Sequence, residues 1–312
     1  MTKYYIGHTN NYEDRFKASS GGIGTVILRH LLSKPEFGTA VTFCFNKEKC
    51  MYEPRLIYSS DEINVCGSIY QDINLVRFIS DNVEKINHGI VLVSPPCQVG
   101  AIRKILNKNG VMNFILSFCC SGQMTIDGTW RYYGLLGIDK ANIINMQYRG
   151  NGWPSGIQIW LKNGTIIKRD NYTEPWVTIH RSNLYKPKRC LYCVKDTGRD
   201  ADISLADPWL DYYKKNDNVG NTLFLVNTEE GGNVIEELVA GSRISIVNSS
   251  YEEYAIAQKP NLMKEHNRVP ALVLSLMKNR HYYSWATSSF RNMNYHIKVQ
   301  SCFKIIKNLI SK

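Results

Sequence analysis

The 312-residue sequence lacks the apolar segments that mark membrane-spanning and secreted proteins. No stretch reaches the ~18 consecutive apolar residues that favour a transmembrane helix. The N-terminus, MTKYYIGHTN, has no apolar run that could act as a secretion signal. With 44% hydrophobic residues, the chain can still bury a substantial core. We therefore expect a globular protein of the cytoplasm.

Several common catalytic patterns are also missing. The seven histidines form no HxH or HExxH pair, and the sequence contains no GxSxG elbow and no GKS or GKT phosphate loop. No internal repeat or low-complexity tract is present. These absences argue against a hydrolase or a nucleotide kinase.

Acidic residues are scarce in one region only, the C-terminal segment. Residues 259–312 contain seven Lys and three Arg but only one acid, Glu265, and so hold nine of the eleven net positive charges. Their apolar and basic residues alternate as in a basic amphipathic helix. We interpret the segment as a docking helix with a solvated lysine face, and peripheral contact with an anionic membrane is the alternative. Because residues 1–258 are nearly neutral, we do not expect nucleic acid as a partner. We predict one domain over residues 1–250 and a helical basic extension over residues 251–312.

Cysteine, by contrast, is plentiful. Nine cysteines in a cytoplasmic protein are not expected to form disulfides, because that compartment keeps thiols reduced. Four of them lie in loops or at strand ends, in the sequences SPPCQ, SFCCSG and KRCLYC: Cys97, Cys120, Cys190 and Cys193. These four are the candidate metal ligands, and burial explains most of the others.

A parallel βαβ unit is predicted around the first two of these cysteines. Apolar runs at residues 90–93 and 114–118 read as buried strands, and residues 99–106 have helical periodicity. A right-handed crossover places Cys97 and Cys120 just beyond the carboxyl ends of two parallel strands, at one edge of the sheet. Cys97 also begins a helix, where the helix dipole lowers a thiol's pKa.

The remaining pattern predicts a mixed α/β fold. Ser20-Gly21-Gly22 opens a helix that starts at Ile23, with Ser20 as its expected cap and backbone N–H groups suited to a phosphate. Asn163-Gly164 predicts an antiparallel hairpin. Residues 201–206 and 223–226 predict further strands, and residues 233–240 a helix. The predicted architecture is a parallel βαβ core with antiparallel hairpin elements.

Four thiolates suit either a tetrahedral zinc ion or a 4Fe-4S cluster. Zinc sites usually combine two local pairs, whereas here one CxxC pair would join two distant cysteines, which favours a cluster. Cysteines without a ligand are the third interpretation. Either Cys119 or Cys120 could supply the ligand at its position.

Read in order, the motifs resemble the coenzyme F-420 hydrogenase/dehydrogenase beta subunit family over residues 15–235. The matching residues are Ser20-Gly21-Gly22; Pro96-Cys97-Gln98 with Arg103; Cys120-Ser121-Gly122; Tyr148-Arg149 with Gly152-Trp153; Cys190 and Cys193 with Ala201-Asp202-Ile203 and Asp207-Pro208-Trp209; and Gly220-Asn221-Thr222 with Thr228 and Gly231.

This resemblance implies a fold in which a 4Fe-4S cluster lies close to FAD. Cys97, Cys120, Cys190 and Cys193 would be the cluster ligands. The resemblance assigns the flavin nucleotide and other cofactor contacts to these residues: Ser20, Gly21, Gly22, Gln98, Arg103, Arg149 and Asp207. It also suggests coenzyme F-420, although Pro95 and Ser121 depart from the family pattern where that cofactor would lie.

The resemblance implies an oxidoreductase that passes electrons between the cluster and FAD and on to a small organic acceptor, by analogy in surface-polysaccharide synthesis. The ferredoxin-like segment of many relatives is missing, so we expect a separate electron donor such as a ferredoxin. The alternative is a non-catalytic or zinc-stabilised accessory protein that docks through its basic tail.

Overall fold

The computed structural model describes residues 2–170, 173–181, 185–191, 193 and 197–262. The strands are β1 (Lys3–Thr9), β2 (Thr39–Asn46), β3 (Met51–Ile57), β4 (Ile90–Val93), β5 (Asn113–Phe118), β6 (Ile143–Gln147), β7 (Gly156–Leu161), β8 (Ile166–Asp170), β9 (Ile203–Ala206), β10 (Thr222–Val226) and β11 (Ile244–Ser249). The helices are α1 (Tyr12–Lys17), α2 (Ile23–Leu32), α3 (Leu75–Asn82), α4 (Pro96–Lys108), α5 (Ile126–Leu135), α6 (Trp176–Arg181), α7 (Lys188–Leu191), α8 (Asp211–Asn216), α9 (Glu229–Ala240), α10 (Tyr251–Ala257) and α11 (Lys259–Leu262).

A mixed sheet of eight strands forms the centre of the described part of the chain, in the order β11-β1-β10-β9-β5-β4-β2-β3. Strands β2, β4, β5 and β9 are parallel neighbours. Strand β1 runs in the same direction, because it and β9 are both antiparallel to β10. These five strands end at one edge of the sheet, which we call the carboxyl edge. The predicted βαβ unit is confirmed as β4-α4-β5, and so is the α/β class.

Alternation along the strands gives the sheet two apolar faces. In β5, Phe114 and Leu116 pack into a cluster with residues of α2 and α9, such as Ile27 and Leu238. Ile115 points to the other face, whose cluster includes buried residues of α4, α5 and the small sheet. Full burial of a side chain of this size contributes about 1.5–3 kcal/mol each. The strongly apolar central strands are therefore covered on both sides, as parallel strands require.

A second, antiparallel sheet consists of β6, β7 and β8. The predicted hairpin turn is confirmed at Gly164, whose φ of +84° favours glycine. Met146, Ile157 and Ile159 on the inner face are buried in the core, whereas Asn145, Gln147 and Trp160 face the other way. This sheet therefore presents a polar face outward.

Two helix starts differ from the sequence prediction. Ser20 does not cap α2; the cap position is Gly22, at a φ of 75°, and the Ser20 hydroxyl instead pairs with the Thr222 hydroxyl at 2.9 Å. Helix α9 begins at Glu229 rather than at residue 233, because the Thr228 hydroxyl accepts a hydrogen bond from the Gly231 N–H. Strand β9 begins at Ile203, two residues later than predicted.

The start of the predicted C-terminal extension packs on the main sheet. Tyr254 of α10 is buried beside Leu223, and its ring lies 5.8 Å from that of Tyr4. The basic amphipathic segment beyond residue 262 lies outside the described residues, so its helical character stays a prediction. Among the described helices, none is both long and apolar enough to cross a membrane.

Candidate functional site

Four cysteines from three separate stretches of the sequence converge at the carboxyl edge. Cys97 is the second residue of α4, directly after β4. Cys120 lies two residues beyond β5, the parallel neighbour of β4. Cys190 lies in α7 and Cys193 follows it. The other three thiols each act electrostatically on that of Cys97, so Cys97 lies at the centre of the group.

Contacts between two loops bring the CxxC pair to Cys120. The Lys186 ammonium donates to the Ser121 carbonyl at 2.6 Å, and the Thr125 N–H donates to the Tyr185 carbonyl at 2.7 Å. The Arg189 guanidinium forms an ion pair with Asp72 on the neighbouring segment. Residues 185–190 are therefore fastened along residues 121–125 immediately before Cys193.

The choice between Cys119 and Cys120 has a geometric basis. The Cys119 thiol lies 3.4 Å from the Tyr254 hydroxyl and packs against the apolar cluster around β10. The Cys120 sulfur instead accepts a hydrogen bond from the Gly122 N–H at 3.3 Å and acts on the thiol of Cys97. An N–H donor at the sulfur stabilises a thiolate and tunes the potential of a cluster bound to it. This arrangement favours Cys120 as the ligand.

Two of the thiols, those of Cys97 and Cys190, are held protonated while no metal is bound. Desolvation by the surrounding protein raises the pKa of Cys97 to about 11, and the other three thiols add to the rise. Desolvation also raises the pKa of Cys190. This direction is opposite to the one predicted from the position of Cys97 at a helix start. A metal would have to displace these protons as it binds.

A buried ion pair lies at the same edge. Arg149, which is 5% exposed, donates to both carboxylate oxygens of Asp207, at 2.7 and 3.0 Å. The Arg149 guanidinium also donates to the Ser19 carbonyl at 2.7 Å, and the Trp153 indole N–H donates to Asp207 at 3.1 Å. The pair thus joins the loops that follow β6 and β9 to the loop that opens α2.

The predicted Ser20-Gly21-Gly22 loop is fixed against the central sheet. The Gly21 N–H donates to the Thr222 hydroxyl at 2.8 Å, at the start of β10. A Cβ atom on Gly21 would lie 2.4 Å from the Gly7 carbonyl oxygen, so only glycine fits there. The loop and the cysteines therefore share the carboxyl edge, where open α/β sheets bind their ligands.

Comparison with known families identifies the family of the chain. A sequence model of the coenzyme F420 hydrogenase/dehydrogenase beta subunit N-terminus matches residues 4–80, and the model of its C terminus matches residues 88–251. The chain belongs to the coenzyme F420 hydrogenase/dehydrogenase beta subunit family. No curated protein matches it. A solved structure, a chain of the F420-reducing [NiFe] hydrogenase complex from Methanosarcina barkeri, has the same fold, with a TM-score of 0.64 and 14% identity over 86% of this chain and 91% of that one.

Two residues of the family motifs, Gln98 and Arg103, have side chains that bind other parts of the protein. The Gln98 side chain accepts from the Leu75 and Val76 N–H groups and donates to the Ile73 carbonyl, so it holds the start of α3. Arg103 lies further along α4 and pairs with Asp202 at 3.0 Å, at the edge opposite the carboxyl edge. The assignment of Gln98 and Arg103 to cofactor binding stays a prediction. The contacts of their side chains do not favour it.

Other residues of the site were not apparent from the sequence. The Gln258 side chain donates to the Asp207 carbonyl at 2.6 Å, although it lies beyond the stretch that resembles the family. Asp72 and Lys186 hold the CxxC segment in place, and neither belongs to a recognisable motif. These contacts are between residues far apart in the sequence, and local periodicity gives no signal for them.

Proposed function

We propose that this protein is a flavin-dependent iron–sulfur oxidoreductase. Members of the coenzyme F420 hydrogenase/dehydrogenase beta subunit family are oxidoreductases of the electron-transfer type, and this chain belongs to that family. The finer proposal is that it passes electrons between a 4Fe-4S cluster and FAD and on to an organic acceptor. The observation that carries it is the convergence of Cys97, Cys120, Cys190 and Cys193 from three stretches of sequence at the carboxyl edge.

The donor set supports a cluster over a single metal ion. Among the described residues, no group of three or more His, Cys, Asp or Glu side chains is arranged to hold one ion. A zinc ion requires all four sulfurs at ~2.3 Å from one centre. In a 4Fe-4S cluster each cysteine binds a different iron, so its four sulfurs lie further apart. Three thiols that act on that of Cys97, one of them already accepting an N–H bond, provide the soft donors that such a cluster needs.

The opening of α2 supports the proposed flavin site. Helix α2 has ten residues, no acidic residue in its first turn and no side-chain cap at Gly22. Its first N–H groups can therefore bind a phosphate of the nucleotide. A bound FAD converts between one-electron and two-electron transfer. Arg149 and Asp207 would act by holding the Ser20-Gly21-Gly22 loop in place, because they bind each other and the Ser19 carbonyl.

The partners are proposed by analogy. A separate protein such as a ferredoxin would supply the electrons, and the organic acceptor would be an intermediate of surface-polysaccharide synthesis, with coenzyme F-420 as a further candidate. The similar fold of a subunit in a hydrogenase complex supports a role alongside other proteins. The proposed location is the cytoplasm, with contact at the inner face of the membrane through the basic C-terminal segment.

Anaerobic purification followed by analysis of iron, acid-labile sulfide, zinc and flavin tests the proposal. We expect about four iron and about four sulfide per chain, together with FAD. The variant Cys44→Ser, on β2, is a control that should keep the full content. Colourless protein that binds zinc and loses its fold on chelation would contradict the proposal and favour the accessory-protein alternative.

A further inference from the structure

A large groove lies beside α1, between the middle of α2, at Val26 and Arg29, and the outward polar face of the small sheet. Its volume is about 820 Å³, within the range of ~300–1,000 Å³ that is usual for small-molecule sites. Its walls include residues that follow β1 and residues of β6 and β7. We infer that this groove binds a saccharide, and the argument rests on the chemistry of its lining.

Side-chain amides are a prominent part of the lining. Asn64, Asn145, Gln147 and Asn151 all line the groove. Each amide has an oxygen that accepts and an NH2 group that donates, and each sugar hydroxyl can likewise do both. Among the described residues, the Asn145 NH2 group has no protein partner, while its oxygen accepts from the Met146 N–H. The NH2 groups of the other three amides already donate within the protein, so that of Asn145 is the one of the four left for a ligand hydroxyl.

An indole ring lies among these amides. Trp160 of β7 is paired with Asn145 of β6 and points to the same, outward face of the sheet. The side chain is only partly buried and lines the groove. One face of a pyranose ring exposes mainly C–H groups, which pack on an aromatic surface while the hydroxyls at the rim remain free to bond. Trp160 and Asn145 together provide both kinds of contact.

The charges of the groove argue against a phosphate-rich ligand. The Lys17 ammonium is paired with Glu13 at 2.5 Å, and the Arg29 guanidinium with Asp14 at 3.1 Å. These two acids form the first turn of α1, where they oppose the binding of an anion. Arg243 is the one further charged residue among those that line the groove. This balance suits a neutral or singly acidic saccharide better than a flavin nucleotide or another diphosphate.

The inference deepens the proposed function, because it gives the organic acceptor a chemical class and a place to bind. It rests on the proposed function only for the role of the ligand as acceptor. Saccharide binding itself requires neither the cluster nor the flavin, so the two ideas can fail separately.

Saturation-transfer NMR and calorimetry on the anaerobically purified full chain test the inference. The probes are glucose, galactose, N-acetylglucosamine, glucuronic acid and their disaccharides, with FAD as a competitor. We expect Trp160→Ala to weaken binding about tenfold, and Asn145→Ala to weaken it roughly threefold to fivefold. The control Tyr212→Ala removes an aromatic ring that is 69% exposed on α8 and should leave binding unchanged.

Three results would overturn the inference: none of the saccharides binds, binding survives Trp160→Ala at full strength, or FAD displaces the saccharide from the groove. Iron and flavin content are measured on the same samples. Full content without saccharide binding defeats this inference alone, whereas saccharide binding without iron or flavin defeats the proposed function alone.

Discussion

Two arginine–aspartate pairs lie at opposite ends of the short strand β9. Asp202 precedes the strand and pairs with Arg103, while Asp207 follows it and pairs with Arg149. Asp202 also accepts from the Ile115 N–H at 2.8 Å and from the Thr228 hydroxyl at 3.2 Å, so it ties together α4, β5 and the start of α9. The Asp207 pair reaches instead the loop before α2 and the indole of Trp153.

The difference shows that the role of a charged residue depends on which edge of the sheet it lies at. Both aspartates flank the same strand, and both arginines belong to family motifs. Only the Arg149–Asp207 pair shares the carboxyl edge with the four cysteines and the glycine loop. We therefore interpret Arg103–Asp202 as part of the scaffold and Arg149–Asp207 as support for the cofactor site.

The largest effect on stability is expected from Asp202→Ala. The Asp202 side chain is 5% exposed, and its loss leaves the Ile115 N–H without its acceptor and removes the carboxylate partner of Arg103, which still donates to the Asn113 side-chain oxygen. Removal of one partner of a buried pair costs roughly 3–5 kcal/mol. Urea unfolding should show this loss, while the folded fraction keeps its flavin and iron. A loss of cofactor at unchanged stability would contradict the scaffold role.

Arg149→Met should lower the free energy of unfolding less than Asp202→Ala does, and it should lower the cofactor content more. The carboxylate of Asp207 keeps its bond to Trp153 and is 17% exposed, so it recovers some hydration, and we expect a loss of roughly 2–3 kcal/mol. The Ser19 carbonyl also loses its donor, which frees the loop before α2. Flavin content measured below the unfolding transition should fall. Arg149→Lys should restore part of the flavin content. Equal flavin content in the wild type, Arg149→Met and Arg149→Lys would contradict the role of Arg149 in supporting the cofactor site.

Two threonines on β10 and just after it allow a matched comparison. Thr222→Val removes the acceptor of the Gly21 N–H at the carboxyl edge, and Thr228→Val removes the cap of α9 at the opposite edge. Each should cost about 1 kcal/mol. Only Thr222→Val should weaken flavin retention, as measured by fluorescence of released flavin after dilution. Equal retention in the two variants would remove the distinction between the edges.

The smallest effect concerns pH in the metal-free protein. Folding raises the pKa of Cys97 from 9.0 to about 11, so the stability linked to the neutral thiol is present below pH 9 and is lost as the pH rises toward 11. Because Cys97 is exposed, we expect the loss to stay below about 1 kcal/mol. Urea unfolding at pH 8 and pH 10.5 should show a larger decrease for the metal-free wild type than for Cys97→Ser. The opposite order would contradict the assigned shift.

Local patterns were sufficient to predict the βαβ unit. Apolar runs of four to six residues, a Pro-Pro break and a helical period fixed β4, α4 and β5 and thereby the edge that holds Cys97 and Cys120. The geometry of α4 could also have predicted where Arg103 lies. Arg103 lies six residues after Cys97, about 9 Å further along the helix, which leads it away from the carboxyl edge.

The approach of Cys190 and Cys193 to the other two cysteines was predicted only through the family resemblance. It depends on side chains such as Lys186 and Asp72, whose partners are distant in sequence or belong to another segment. The groove was not predicted at all. Its lining comes from several separate segments, and each of them alone reads as an ordinary polar loop or strand.

The iron content of two neighbouring variants tests the central claim most directly. Cys120→Ser and Cys119→Ser change adjacent residues by the same single atom, but only Cys120 acts on the thiol of Cys97, whereas Cys119 lies against Tyr254. After anaerobic purification, we predict that Cys119→Ser keeps about four iron per chain and that Cys120→Ser loses most of them. Full iron content in Cys120→Ser, or its loss in Cys119→Ser alone, would contradict the proposed cluster site at the carboxyl edge.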